Sequence, residues 1–466
     1  MPHGIAAFTL ALRPTLAILL AVAACLPAIA RGDLSAPGPF QPGYRTVTVT
    51  RPNNSTFSAV LFYPALSAGQ NTPFDPSSGP CPAVSFGHGF FQPVSRYQST
   101  LEHLATHGFL VIASESEGSL FPSHPGLAAD MRHGLTYLEQ QNANPVSFLF
   151  GSVNTAAFGM SGHSMGGGCA ILAADDDPRV KALAPLAAAD TNPSSKTAAL
   201  SVPCPSMYID GSQDTIVPPG PNGQVMYANT PAPKRRALIL GGFHCGFTDS
   251  QTFGCDTGSM PRSEQLSIVR RLLTEFFSLH LRQDQTLWNA VWGPALDDDP
   301  RLSTLAQPYA TVGPDAPAIT GPAGQTVQTT LTVTNTATVP AAYALLAEGS
   351  AWPIAFDPPV TPSIPPGQSA VIALAVSIPA LDEPALASFL ISARSQSDLA
   401  TRAWTTLAVN ALCGADFDGS GFVDIEDYAA FIAAFEDGDD TADFDGSGFV
   451  DIEDFTSFVA SFENGC

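Results

Sequence analysis

The sequence predicts three modules in series: a mostly parallel α/β sheet domain, a β-sandwich, and a small α-helical module built on two calcium-type loops. Three observations carry this. Strand-like and helix-like stretches alternate from about residue 44 to 280. From about 312 to 410, strand-like runs are separated by Pro/Gly turns and no helical period appears. Near the end, the stretch Ala415–Asp427 recurs almost unchanged as Ala442–Asp454, at an offset of 27 residues.

In the first module the expected strands are Thr46–Thr50, Ala59–Tyr63, Ala83–Phe86, Phe109–Ala113, Ala156–Met160, Ala182–Leu186, Ser206–Ile209 and Ala237–Leu240. The later ones are continuous apolar runs, the pattern of strands covered on both faces. The expected helices are Tyr97–Thr106, Leu127–Gln141, Met165–Ala174 and Ser263–Leu281. Residues 284–311, rich in Asp and Pro, read as a linker. Beyond it, Thr329–Val333, Ala370–Ser377 and Ser388–Ile391 alternate as half-buried strands, with turns such as Pro365-Pro366-Gly367. The expected divisions are 1–30, 31–305, 306–411 and 412–466.

Residues 1–30 read as an export signal. Arg13 precedes the apolar run Leu16–Leu26, which is too short to span a bilayer, and Ala28-Ile29-Ala30 follows Pro27 as a small-x-small cleavage site. Val22-Ala23-Ala24-Cys25 offers a second reading, a lipoprotein box with Cys25 lipidated. Both readings export the protein, to the medium or the cell surface. Export makes disulfides available to the eight cysteines. Cys413 with Cys466, and Cys245 with Cys255, are the expected pairs, and Cys169 is the expected free thiol. The net charge of −23 excludes nucleic acid and anionic membrane surfaces as partners. Much of that charge lies between Cys413 and Cys466, which hold 15 acidic residues and no Lys or Arg.

Gly162-His163-Ser164-Met165-Gly166 is a G-x-S-x-G elbow between an expected strand and an expected helix, the context that lets a serine project from a sharp turn. This is the signature of an α/β-hydrolase. A serine hydroxyl needs a histidine base and an acid to orient it, and in this fold the chain order is Ser, acid, His. Asp214 follows the strand Ser206–Ile209 and His244 follows Ala237–Leu240, at spacings of 50 and 30 residues. Asp210, Asp190 and Asp249 are the rival acids. The other histidines considered, His88, His103, His107, His133, His163 and His280, read as structural or surface groups. The oxyanion hole is expected from the backbone N–H groups of Met165 and of Phe90, the latter in the loop Gly87-His88-Gly89-Phe90-Phe91. Phe90, Phe91 and Met165 are also expected to floor the substrate site. The interval from Ser164 to Asp214 leaves no room for a cap domain, which predicts an open cleft.

At these residues the segment of roughly 40–280 resembles the family of bacterial cutinases, polyethylene terephthalate hydrolases and chlorophyllase-like esterases. The resemblance rests on Gly162-His163-Ser164-Met165-Gly166-Gly167, Gly89-Phe90, His107-Gly108-Phe109-Leu110-Val111-Ile112, Asp214-Thr215-Ile216 and His244. It implies serine ester hydrolysis without a catalytic cofactor. In that family's polyester hydrolases a Trp precedes an Asp after the sixth strand. Here Ala189 stands before Asp190, so Ala189 is the expected substrate contact at that place and the aromatic clamp for a terephthalate ring is not carried over.

Each repeat in the tail fits a calcium loop. The first offers Asp416, Asp418, Ser420, the Phe422 carbonyl, Asp424 and Asp427 at positions 1, 3, 5, 7, 9 and 12. The second offers Asp443, Asp445, Ser447, Phe449, Asp451 and Asp454. Carboxylates at this density repel unless a cation neutralises them. Each loop leads into one apolar helix, Tyr428–Phe435 or Phe455–Phe462. Two loop–helix units with Asp at position 12 resemble type I dockerins, which implies two Ca2+ ions and a cohesin-type partner. An envelope or matrix attachment is the alternative.

The sequence thus reads as an exported, modular serine ester hydrolase with an ester substrate and a calcium-dependent docking tail. The competing readings are a dienelactone-hydrolase-like, amidase or lipase-like enzyme, and a non-catalytic adhesion protein that keeps a hydrolase fold.

Overall fold

A computed structural model describes residues 33–464 apart from 308–309, 338, 350, 380–384, 398–401, 421 and 446. The export segment expected at 1–30, Cys25 and Cys466 lie outside the described residues. Elements of the first domain run in the order β1 (Gln41–Thr50), β2 (Thr56–Ala65), β3 (Gly69–Gln70), β4 (Cys81–Gly87), α1 (Gln98–Thr106), β5 (Leu110–Ser114), α2 (His124–Ala143), β6 (Val153–His163), α3 (Met165–Asp175), β7 (Val180–Leu186), α4 (Ser195–Ala198), β8 (Ser206–Gly211), α5 (Gly223–Asn229), β9 (Lys234–Ile239), α6 (Arg262–Leu281), α7 (Trp288–Val291), α8 (Pro294–Asp297) and β10 (Leu302–Gln307).

The ten strands form one sheet in the order β10-β9-β8-β7-β6-β4-β5-β2-β1-β3. Six central strands, β5-β4-β6-β7-β8-β9, are parallel. β2 and β1 extend one edge antiparallel, and β10 closes the other antiparallel to β9. Side chains alternate across the sheet and feed two cores. Val84, Phe86, Val111, Ala113, Met207 and Ile209 face α1 and α6. Ala83, Leu110, Ile112, Leu183 and Tyr208 face α2 and α3. The helices on both faces explain why these strands are largely apolar on both sides.

β4 leads to β5 on one side while β6 lies on the other, so the chain reverses its winding between β4 and β6. Such a switch point opens a crevice at the carboxyl ends of the strands. The crevice is narrow here. A Cβ on Gly166 would lie 2.1 Å from the Gly87 carbonyl oxygen, and one on Gly162 would lie 2.4 Å from the Gly166 oxygen. The start of α3 therefore rests directly on the end of β4, backbone against backbone.

Residues 284–311 are not the linker that their Asp and Pro content suggested. They carry α7, α8 and the sheet-edge strand β10, and Trp288, Trp292 and Leu296 are buried in the core beneath α6. Strand β10 alternates too weakly to be read from sequence, since only Leu302 of its six residues is buried.

Beyond it lie β11 (Ala310–Pro314), β12 (Ala318–Pro322), β13 (Thr326–Asn335), β14 (Tyr343–Gly349), β15 (Ile354–Asp357), β16 (Ser369–Ser377), β17 (Ala385–Ser395) and β18 (Arg402–Leu412). They make two four-stranded sheets, β11-β13-β16-β15 and β12-β18-β17-β14. One core joins them: Leu331, Val333, Ile372 and Leu374 from the first, Tyr343, Phe389, Ile391 and Leu407 from the second. The buried Tyr343 hydroxyl donates to Asn335 Oδ1 at 2.9 Å and ties the sheets together. The tail holds α9 (Ile425–Asp437) and α10 (Ile452–Asn464), packed through stacked Phe431 and Phe458 rings 4.0 Å apart.

Cys245 and Cys255 are disulfide-bonded, as expected. Cys413 is also oxidised to a disulfide. Three described cysteines are free and buried, Cys81 and Cys204 in addition to Cys169. Burial raises all three thiols above their ordinary range.

Replacing Gly166 with Ala drives a methyl into the Gly87 backbone, a contact no rotamer relieves. The expected cost is at least about 2 kcal/mol, read as a lowered chemical-denaturation midpoint of the full chain. An unchanged midpoint would refute the close approach.

Candidate active site

Four loops reach the crevice from the carboxyl ends of parallel strands. They follow β4, β6, β8 and β9, and they carry Phe90, Ser164, Asp214 and His244 respectively. Ser164 sits between β6 and α3 with φ 58° and ψ −120°, a backbone conformation that costs a non-glycine residue of order 1–3 kcal/mol. The surrounding close packing holds it there. Its N–H donates to the Leu186 carbonyl at 3.0 Å, and its own carbonyl accepts from Ala189 and Gly168. Met165 opens α3, so its N–H is one of the four that no intrahelical carbonyl can reach.

His244 Nδ1 and Asp214 Oδ2 are 2.7 Å apart, and both side chains are buried. The other Asp214 oxygen accepts the N–H groups of Ile216 and Val217 at 2.9 and 2.7 Å. The carboxylate is therefore fixed by its own turn before it meets the ring. Among the rival acids, Asp210 pairs with Arg236 at 2.9 Å, and burial raises its carboxyl to about 6 even with that guanidinium alongside. Asp190 pairs with Lys196, and Asp249 accepts from Ser99.

His163, between the elbow glycines, is also buried, its ring 4.5 Å from that of His244. Burial, and then the neighbouring His244, hold it well below the usual histidine range, so it stays neutral. Its Nδ1 lies 3.0 Å from the Tyr97 hydroxyl, which also accepts the Gly89 N–H at 3.0 Å. Tyr97 thus joins the loop that presents Phe90 to the elbow that presents Ser164. A Cβ on Gly89 would lie 3.5 Å from the Ser164 Cβ, so the two loops are in contact there. His88 bonds the Gly89 and Ser116 carbonyls, a structural role.

The cleft over these groups has a volume of about 140 Å³ and is open on one side. Phe90, Ser164, His163, His244, Ile216 and Phe253 are among its lining residues. Three residues expected in the substrate surface do not line it. Phe91 turns outward at φ 56° and is exposed. The Met165 side chain enters the core beside α2, because α3 is wrapped by the sheet. Ala189 lies behind Ser164, where its N–H bonds the serine carbonyl. Conversely, Ile216 lines the cleft unanticipated, beside the loop closed by the expected Cys245–Cys255 pair. The sequence signals were present: Ile216 follows Asp214 by two residues, and Cys245–Cys255 closes a loop that begins beside His244.

The arrangement offers a serine on a strained turn at a helix N-terminus and a histidine held by a carboxylate, both facing one uncharged cleft. These are the parts that nucleophilic acyl transfer requires.

Comparison with known proteins agrees. Residues 33–255 match the family described as PET hydrolase-like. Two cutinases of Thermobifida alba, est1 and est2, are each 26% identical over 157 residues, covering 34% of this chain and 50% of theirs. A bis(hydroxyethyl) terephthalate hydrolase of Streptomyces coelicolor is 27% identical over 172 residues, covering 36% of this chain and 51% of its own. The chain spans about half the length of the curated relatives it matches.

Tyr97→Phe leaves the buried Gly89 N–H without its acceptor and His163 without its partner. The expected destabilisation is about 1–3 kcal/mol, measured by denaturant unfolding, with faster amide exchange across residues 87–92. Unaltered exchange there would show that Tyr97 does not hold this loop.

Proposed function

We propose that the chain is an exported serine carboxylic ester hydrolase acting through an acyl-enzyme. The observation that carries the reading is the 2.7 Å His244–Asp214 pair, which opens onto the same cleft as Ser164 inside the PET hydrolase-like segment. Ser164 Oγ attacks the ester carbonyl and His244 takes its proton. The oxyanion is held by the N–H groups of Phe90 and Met165. His244 returns the proton to the leaving alcohol, and Asp214 keeps the ring oriented in both steps. Water, deprotonated by His244, then clears the acyl group.

The substrate is an uncharged ester with an apolar flank. Among the described residues, no Asp, Glu, Lys or Arg lines the cleft, and Phe90, Ile216 and Phe253 present exposed apolar side chains to it. A cutinase and a bis(hydroxyethyl) terephthalate hydrolase among the relatives support the same class. The open mouth admits a chain end or loop of a polymer.

Residues 412–466 are read as a dockerin-like module that binds two Ca2+, and residues 306–411 as an immunoglobulin-like spacer. Carboxylate oxygens of Asp416, Asp418 and Asp427 come within 4.8 Å of one another, and so do those of Asp443, Asp445 and Asp454. The donor set suits a hard cation, and Asp443 Oδ1 is buried with no hydrogen-bond partner among the described residues. Gly448, at position 6 of the second loop, has the positive φ of 87° that its sharp turn requires. Asp424 caps α9, and the Glu453 N–H bonds Asp451 in the same way, so the position-9 residues would reach a cation through water. Both repeats expose a Phe and an Ile at equivalent positions, Phe422 with Ile425 and Phe449 with Ile452, which supports docking on a cohesin-type partner. Export through residues 1–30 completes the reading, with lipidation at Cys25 as the alternative.

The full chain is expected to hydrolyse p-nitrophenyl acetate, and Ser164→Ala to lose about 10³-fold or more of that rate. A folded wild-type chain without esterase activity would sink the reading.

In the tail, Ca2+ at about 100 times its Kd should stabilise the module by roughly 3 kcal/mol. Chelation should remove that gain, seen as an earlier unfolding transition for α9 and α10. A transition indifferent to chelator would rule calcium out.

A further inference from the structure

Asp214 and His244 stand on different loops, and hydrogen-bonding sites of this kind tolerate errors of only about 0.5 Å. Each loop must therefore be held against the other. The β8–β9 pairing fixes the strands up to Gly211 and Ile239 but stops short of both residues.

The Gln213 N–H to the Gly242 carbonyl at 2.7 Å and the Gly241 N–H to Ser212 Oγ at 2.8 Å carry the contact one step further, and one more side chain bridges the residues beyond them. Asp256 Oδ2 accepts the N–H of His244 at 2.9 Å and the N–H of Thr215 at 3.2 Å, and its Oδ1 accepts the N–H of Cys245 at 3.0 Å. Thr215 is the neighbour of Asp214. A single carboxylate thus binds the backbone of the base itself, the residue after it, and the residue after the acid. Asp256 is delivered there because it follows Cys255, which the disulfide returns to Cys245. Hydrogen bonds from amides to a carboxylate are charge-assisted and stronger than amide–carbonyl bonds. Three N–H groups converging on one anion also form a concave site that favours negative charge.

We propose that Asp256 is a positioning residue for the acid–base pair, holding the Asp214 and His244 loops in register through their backbone amides. It touches neither reacting atom. The inference rests on the serine-hydrolase reading for its kinetic consequence but not for its structural one. Removal of the carboxylate leaves the sheet, the disulfide and the cleft lining in place, so ground-state binding should change little. Alignment of His244 should suffer, and a misplacement of about 1 Å costs about 10²-fold in rate.

The test compares full-length wild type, Asp256→Asn and Asp256→Ala, using p-nitrophenyl acetate hydrolysis and hydrogen–deuterium exchange. For Asp256→Ala, kcat should fall by roughly 10- to 100-fold with KM within about twofold. Asp256→Asn keeps one acceptor oxygen and should fall between. Added formate, an anion small enough for the vacated amides, should restore part of the Ala variant's kcat and none of the wild type's. Exchange should quicken in peptides covering 213–217 and 243–247 together, with peptides of β6 and α3 unchanged. Unchanged kcat in Asp256→Ala beside an active wild type would overturn the proposal, as would a loss that formate does not touch and that comes with a matching rise in KM. An inactive wild type would instead defeat the hydrolase reading. The exchange data would still decide the positioning role: faster exchange in both loops upholds it, and quiet loops refute it.

Discussion

The site depends on how closely the start of α3 approaches the end of β4. A Cβ at residue 166 would fall inside the Gly87 carbonyl group, and one at 162 inside the Gly166 carbonyl. No other residue type fits at either place. This contact brings a helix N-terminus and the loop after β4 to the same point in the crevice. The strained φ of Ser164 follows from it, because the chain must leave β6 and enter α3 within one residue while staying against β4. The cost of that strain is offset by bonds of the serine backbone to Leu186, Ala189 and Gly168 and by burial of nearly all of α3. The glycines thus set a geometry that the polar groups then use.

The polar groups divide into fixed and neutral. Two aspartates lie close together at and just beyond the end of β8, and a shared neighbourhood could have left either facing His244. Arg236, on β9 beside Asp210, separates their roles: it takes Asp210, and the turn amides take Asp214. His163 faces His244 ring to ring, where a second positive charge would oppose protonation of the first. Burial keeps His163 neutral, so the ring acts as an apolar wall with one polar edge tied to Tyr97. The result is a cleft in which His244 lies beside a ring held neutral.

The sequence made the sheet legible because a strand covered on both faces must be largely apolar, and β4 to β8 are, with exceptions such as Ser85, Lys181 and Asp210. It made the order of Ser164, Asp214 and His244 legible because loops at strand ends carry chemistry in this architecture. Strand β10 was hidden, since an edge strand that buries only Leu302 has no period to detect, and the prolines and aspartates around it look like a linker. Met165 was misplaced as a substrate contact because an elbow's position in sequence does not say which way the first helical side chain turns. Ile216 was missed for a related reason: no periodicity governs a loop, and its approach to Ser164 is decided by how two loops fold toward each other. Cys81 and Cys204 looked like disulfide partners from compartment alone, but each is buried as a free thiol in the core.

The tail poses the opposite problem, a case where sequence is highly regular and folding energy is thin. Its core amounts to Phe431, Ala442 and Phe458 with partly buried aromatic residues around them, shared by two helices. Against this stand acidic residues confined to a short segment without a compensating Lys or Arg. Backbone amides answer part of the repulsion: Asp427 accepts from Asp418 and Asp424, and Asp454 from Asp445 and Asp451, each carboxylate knitting its own loop. Those bonds fix the loop shape but leave net charge in place, and a small apolar core cannot absorb it. A bound cation would remove that repulsion where the carboxylates converge. The same carboxylates are set by hydrogen bonds that are already made, so a cation would meet loops shaped in advance and would lose little to ordering them.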